Sequence, residues 1–284
     1  MPSPKSSLLI NSAFITILFA GFVIIFFPVL KGLVMVWSGS EEYSHGFFII
    51  PLSIFIIWQK KDTLRKVQYH PSWFGLPVVG FFLFVYIIAR YAGILTLAPV
   101  AMIFVLFGIV IFLYGFAMLK ELYFPLFFLF FMVPIPAQIF SALTIPLQLF
   151  VSKISVDITH LIGVPVFREG NVIHLPDQTL QVVRACSGLR SMISLLTLSA
   201  IFGYFTIRAN ILRGMLFVLG IPVAVIVNIV RVILMILAFY YFGYDLTQGK
   251  IHTIFGLLIF LLALILLVLI KGVLAIWDRP AKTG

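Results

Sequence analysis

The sequence predicts an all-α integral membrane protein, a polytopic bundle of about eight transmembrane helices forming a single domain over 1–284, with one larger extracytoplasmic segment. Three observations predict it. The chain is 63% hydrophobic and 10% charged, against ~45–50% and ~25% for a soluble domain, and its mean hydropathy is +1.21. The apolar residues gather in runs near the ~20 residues that a helix needs to cross a bilayer. The basic residues, which bring the formal charge to +10, fall in the short loops between runs. There they read as topology signals rather than as a nucleic-acid surface.

The spans lie near 8–30, 44–58, 73–89, 92–118, 121–135, 186–206, 213–241 and 252–270. The first is too long for a signal-peptide core and lacks a small-residue cleavage site, so it is read as a helix of the bundle. The second and fifth are short and must borrow flanking residues. Lys60, Lys61, Arg65 and Lys66 follow the second span, Lys120 divides the fourth from the fifth, and Arg208 and Arg213 divide the sixth from the seventh. With eight spans and both termini cytoplasmic, these residues share the inner side with Lys5, Lys271, Arg279 and Lys282. Glu41, Glu42 and Asp245 then face outward, and Arg90 is a basic exception on the outer side.

The longest piece outside the spans, 136–184, also faces outward in this topology. Its first part mixes apolar and polar residues and is expected to lie along the membrane interface as a helix. Its second part alternates Val, Ile and Phe with polar residues around "EGN" and "PDQ", which predicts one or two short β-hairpins.

An ionisable residue inside a span is expensive and is a functional candidate by default. Cys186, the single cysteine, opens the sixth span, where the positive end of the helix dipole and nearby arginines favour thiolate. A small packing residue is the competing reading. Arg231 lies within the seventh span, with Asn228 one turn away on the same face; a structural arginine bonding backbone carbonyls is its competing reading. His252 opens the eighth span on the outer side, so that Cys186, Arg231 and His252 come from three consecutive spans. A thiol and an imidazole brought together make a nucleophile and a general base. Arg190, four residues after Cys186, rivals Arg231 for the charged role, and spacing does not choose between them. His45 opens the second span on the outer side and is a supporting candidate for which a structural role is favoured. His70, His160 and His174 lack metal-ligand spacing, and no HExxH, CxxC, P-loop or GxGxxG occurs. No cofactor and no metal are expected, and one cysteine excludes an internal disulfide.

At these residues the chain resembles the exosortase/archaeosortase family. "ACSGLRS", 185–191, resembles its cysteine motif; "NIVR", 228–231, its N-x-x-R motif; and "HTIFG", 252–256, its histidine segment. "YSHGFFIIPLSIFIIW" and "GVPVFREGNVIHLP" resemble further family blocks, and the likeness runs from about 40 to 256. One position departs: the residue two before the cysteine is often acidic in the family and is Arg184 here. The resemblance implies cysteine-dependent cleavage near the C-terminal sorting signal of secreted proteins, with transfer to a glycan or lipid acceptor. It implies Cys186 as nucleophile, Arg231 as charge stabiliser and His252 as acid/base. A histidine at the third position points to a bacterial exosortase of the inner membrane, acting at its outer face. The implied partners are substrate sorting signals, membrane lipids and an envelope acceptor, with no nucleic acid. The rival from another class is a non-enzymatic channel or export subunit for envelope polysaccharide, in which the arginines line a path and the cysteine is inert.

Overall fold

The computed structural model describes residues 4–40, 42–94, 96–176, 179–181, 189–244, 246 and 249–278. About four-fifths of them are helical, as befits an all-α membrane protein, and the chain divides into two units, 1–136 and 137–284.

The first unit contains α1 (Pro4–Gly39), α2 (Gly46–Gln59), a single turn α3 (Lys61–Leu64), α4 (Gly75–Tyr91), α5 (Leu97–Phe128) and a 3₁₀ turn (Leu129–Met132). Helix α5 is folded back on itself. Gly115, inside it, has φ 84° and ψ −178°. The Phe104 and Phe130 rings lie 5.4 Å apart and those of Phe107 and Tyr123 6.5 Å apart. A straight helix would separate residues 104 and 130 by about 39 Å. The arms 97–114 and 116–128 are therefore antiparallel. This gives the two rods expected at 92–118 and 121–135, but the reversal falls at Gly115 and not at Lys120. The reason is steric. Glycine adopts positive φ without a Cβ penalty, and a Cβ at 115 would run into the His70 carbonyl. Lys120 and Glu121 are ordinary helix formers and stay inside the second arm.

Each arm has its own antiparallel partner. Helix α4 packs on the first arm through a glycine crossing, where a side chain at Gly75 would strike the backbone of Gly108 and Phe112. Small residues at such a crossing let helix backbones approach closely. Helix α2 packs on the second arm. Its Ser53 hydroxyl donates to the Pro125 carbonyl at 2.6 Å, and Lys60 Nζ donates to the Glu121 carbonyl at 3.0 Å. Pro125 has no N–H to satisfy that carbonyl four residues back, so the lysine fills the gap. Helix α1 is tied on by Tyr86 Oη donating to Ile25 O at 2.8 Å and Trp37 Nε1 donating to Met132 O at 3.0 Å.

The second unit runs α6 (Ala137–Leu161), β1 (Phe167–Glu169), β2 (Val172–His174), β3 (Thr179–Gln181), α7 (Leu189–Thr206), α8 (Asn210–Phe242) and α9 (Gly249–Ala275). The strands form an antiparallel sheet in the order β1-β2-β3, with Arg168 opposite Ile173 and Ile173 opposite Leu180. The turn between β1 and β2 falls at "EGN", as the alternation predicts, and Asp177 and Gln178 of "PDQ" lie outside the described residues. Helix α6 is a continuous helix of 25 residues, long and apolar enough by composition to cross a membrane. Its buried residues mix polar Thr144, Gln148, Ser152, Ser155 and Thr159 with apolar Phe140, Val151 and Val156, whereas Ile139, Leu143, Phe150 and Leu161 are exposed. Two of the buried hydroxyls bond out of the helix, Ser152 Oγ to Gly170 O at 3.2 Å and Ser155 Oγ to Ile229 O at 3.4 Å.

Helix α8 is the spine of this unit. Its buried residues, Leu216, Gly220, Val223, Ala224, Val227, Asn228, Arg231, Val232, Met235 and Ile236, recur at helical spacing. The first half of the stripe packs with Leu195 of α7 and with Ile259, Ala263 and Leu267 of α9. The second half packs with Val151 and Val156 of α6 and with Ile173 of the sheet. Asp278, beyond α9, accepts hydrogen bonds from Arg208 N at 2.9 Å and Ala209 N at 3.0 Å. It thereby caps the N-terminus of α8, whose own N-cap residue, Ala209, offers no side-chain acceptor.

Candidate functional site

Asn228 and Arg231 occupy core positions of the α8 stripe, at 3% and 6% exposure, where the periodicity would place aliphatic residues. The guanidinium reaches α9. Arg231 Nη2 lies 3.2 Å from His252 Nε2. The other ring nitrogen, His252 Nδ1, lies 2.9 Å from the Leu246 carbonyl. A carbonyl only accepts, so Nδ1 carries the hydrogen and Nε2 presents its lone pair to the arginine. The site thus holds a neutral imidazole whose basic nitrogen is aimed by a backbone carbonyl on one side and covered by a guanidinium on the other.

Two residues outside the expected set make this contact possible. Gly256 lies one turn after His252 on α9, and a Cβ there would have Arg231 Nη2 as its neighbour at 4.0 Å. A larger side chain would occupy the guanidinium's place. Leu246 supplies its main-chain oxygen, which no side-chain pattern reveals. A third addition is Ser191, which lines a small chamber of about 10 Å³ together with Leu195, Asn228, Arg231, Ile259 and Ala263. This chamber brings the first turns of α7 to Arg231, so three consecutive helices converge on the arginine.

Of the residues singled out from sequence, Arg231, Asn228 and His252 are brought together. Cys186 and Arg184 lie outside the described residues. Arg190 falls in the first turn of α7. His45 belongs to the first unit, at the start of α2, where its Nε2 lies 3.1 Å from the Phe131 carbonyl and donates to it. That bond ties the start of α2 to the 3₁₀ turn that follows α5. His174 is engaged within the sheet, 3.2 Å from Thr179 Oγ1 and 3.7 Å from Glu169 Oε2. Among the described residues no group of three or more His, Cys, Asp or Glu is arranged to hold a metal ion.

No protein of curated function and no solved structure matches this chain. Residues 37–269 match the family model of the transmembrane exosortases. This stretch carries the cysteine motif, the buried Asn and Arg of α8 and the histidine of α9, and the chain belongs to that family of membrane sorting proteases and transpeptidases.

Proposed function

We propose that this protein cleaves the C-terminal sorting signal of secreted proteins at the outer face of a bacterial inner membrane and passes the new carboxyl end to an envelope acceptor through a thioester on Cys186. The observation that carries the reading is the Arg231–His252 contact with Leu246 behind it. It presents a histidine base and a fixed cation to one place, between α8 and α9 and beside α7, the helix that follows Cys186 in sequence.

The chemistry follows from the donor directions. His252 Nε2 takes the Cys186 thiol proton, and the sulfur attacks the scissile carbonyl carbon. Once Nε2 is protonated it no longer accepts from Arg231, and two cations then face each other across a hydrogen-bond distance. Both need an anion beside them. The oxyanion of the tetrahedral intermediate is that anion, and the guanidinium stabilises it. Collapse of the intermediate breaks the C–N bond, and the imidazolium gives its proton to the leaving amine. The thioester is then opened by a second nucleophile, an amine, a hydroxyl or water, deprotonated by the same Nε2. The substrate's own transmembrane helix confines its motif to the membrane plane, which raises its effective concentration at the site.

The topology that suits this reading has eight crossings: α1, α2, α4, the two arms of α5, α7, α8 and α9, with cytoplasmic termini. In the first unit the basic loop is joined to the Gly115 end through Lys60–Glu121 and through His70 N to Tyr114 O at 3.3 Å. Tyr43, His45 and Arg90 lie toward the opposite ends of their helices. In the second unit the α6 residues that join the core meet Val232, Met235 and Ile236, the half of α8 assigned to the outer side.

The test is Cys186→Ala in a strain carrying a tagged substrate. The substrate should accumulate uncleaved and co-purify with the variant, and hydroxylamine should release wild-type thioester but find none in the variant. Normal processing by Cys186→Ala would refute the reading.

A further inference from the structure

The first unit holds a groove of about 300 Å³ that the proposed chemistry does not use. Its floor is apolar and buried, formed by Val29 and Leu33 of α1, Ala89 of α4 and Ala98 of α5, and Pro28 and Pro134 also line it. Gly32 opens its wall, since a Cβ there would meet nothing within 4 Å. A single charged side chain lies among the lining residues, the exposed Arg90 in the last turn of α4. Arg90 is also the cation that breaks the charge pattern of the loops. Its side chain has no acidic or hydrogen-bonding partner among the described residues.

We propose that this groove seats one acyl chain of an anionic phospholipid, with Arg90 paired to the phosphate headgroup. A hydrocarbon chain suits the trough, whose floor is apolar and whose one charged lining group is a cation at its lip. Charge complementarity selects the headgroup: a cation at the lip of a lipid-facing groove gains from a phosphate bearing net negative charge, and gains less from a zwitterion. The lipid would fasten α1 to the α4–α5 hairpin, because residues of all three line the groove.

The test uses the full chain in detergent micelles, with palmitoyl-oleoyl phosphatidylglycerol and phosphatidylcholine added separately and retained lipid counted by native mass spectrometry. The wild type should keep one phosphatidylglycerol with about fivefold preference over phosphatidylcholine. Arg90→Gln should erase the preference while keeping an adduct. Gly32→Phe, which fills the groove from a helical position with room for a side chain, should lose the adduct with both lipids. A diazirine on the acyl chain of phosphatidylglycerol should label 28–36 and 89–99 in the unmutated chain, a readout independent of how the variants fold. Labelling confined to other helices would overturn the proposal, as would an unchanged adduct in Gly32→Phe or an unchanged preference in Arg90→Gln. Displacement of the lipid by an equal concentration of inorganic phosphate would show a simple anion site instead. Cleavage by Cys186 is not part of any readout, so the proposal stands or falls apart from the catalytic one.

Discussion

The two units use polar groups among apolar helices for different ends, and Lys60 and Arg231 show the contrast. Lys60 stands just past the end of α2, partly exposed, and meets a carboxylate, Glu121 Oε2, at 3.0 Å. Its second bond fills the carbonyl that Pro125 leaves open. Arg231 stands mid-helix on a buried stripe, and the partner of its Nη2 is an imidazole lone pair. A cation that neutralises an acid at a helix end stabilises the scaffold. A cation held beside a base, away from water, costs desolvation, and in the proposed reaction it meets the charge that develops on the oxyanion. The general lesson is that depth along the helix and the chemistry of the partner, rather than charge itself, separate the two roles.

The sharpest way to break this comparison is to remove both cations and measure cleavage. Arg231→Ala should lower the rate by about 100- to 1000-fold, the usual cost of one oxyanion donor, while substrate still co-purifies. Arg231→Lys should recover little, because an ammonium lacks the planar fork. A rate near wild type in Arg231→Ala, with loss in Arg190→Ala instead, would move the oxyanion role to α7. The next effect belongs to the scaffold. Gly115→Ala should cost at least about 1–3 kcal/mol, because its positive φ with extended ψ is a region open essentially to glycine alone, with the contact to the His70 carbonyl added to it. Thermal unfolding in detergent reads this, with Gly80→Ala as a control, since a Cβ at Gly80 meets nothing within 4 Å. Lys60→Met should follow at no more than about 1 kcal/mol, because the pair is partly exposed, and it should leave the cleavage rate unchanged. A rate loss in Lys60→Met comparable to that in Arg231→Ala would erase the distinction between the units.

The smallest effect tests a structural pin inside the second unit. The backbone N–H groups of Arg208 and Ala209 hold the Asp278 carboxyl below the usual carboxylate range. A depressed folded-state value means that its contribution is present above the ordinary carboxylate pKa and is lost as pH falls through the lower, folded value. Asp278→Asn should therefore lower the melting temperature slightly near neutral pH, and the gap to wild type should close in acid. A gap that widens in acid would show that Asp278 does not act through its charge.

Much of this was legible in residue order. The apolar runs located α2, α4, α7, α8 and α9 to within a few residues at most ends, because length and hydropathy are properties of the chain itself. "EGN" and "PDQ" marked the sheet, since turn residues act locally. The reversal in α5 was placed five residues late. Lys120 looked like a loop on hydropathy grounds, whereas Gly115 decides the turn by being the one residue there that tolerates positive φ. The mixed residues of α6 mark a helix, and which of its polar groups face inward is decided by packing.

The candidate site divides the same way. Residue types and their order named Arg231, Asn228 and His252, because charge inside an apolar span is costly wherever the helix lies. That the imidazole offers Nε2 and not Nδ1 to Arg231 depends on the main-chain oxygen of Leu246, and that the guanidinium reaches the ring depends on how α8 and α9 pack, with Gly256 beside it. Neither is a property of a stretch of sequence. Hydropathy and spacing act along the chain and can be read from it, whereas tautomer, facing direction and free space arise only where two helices meet.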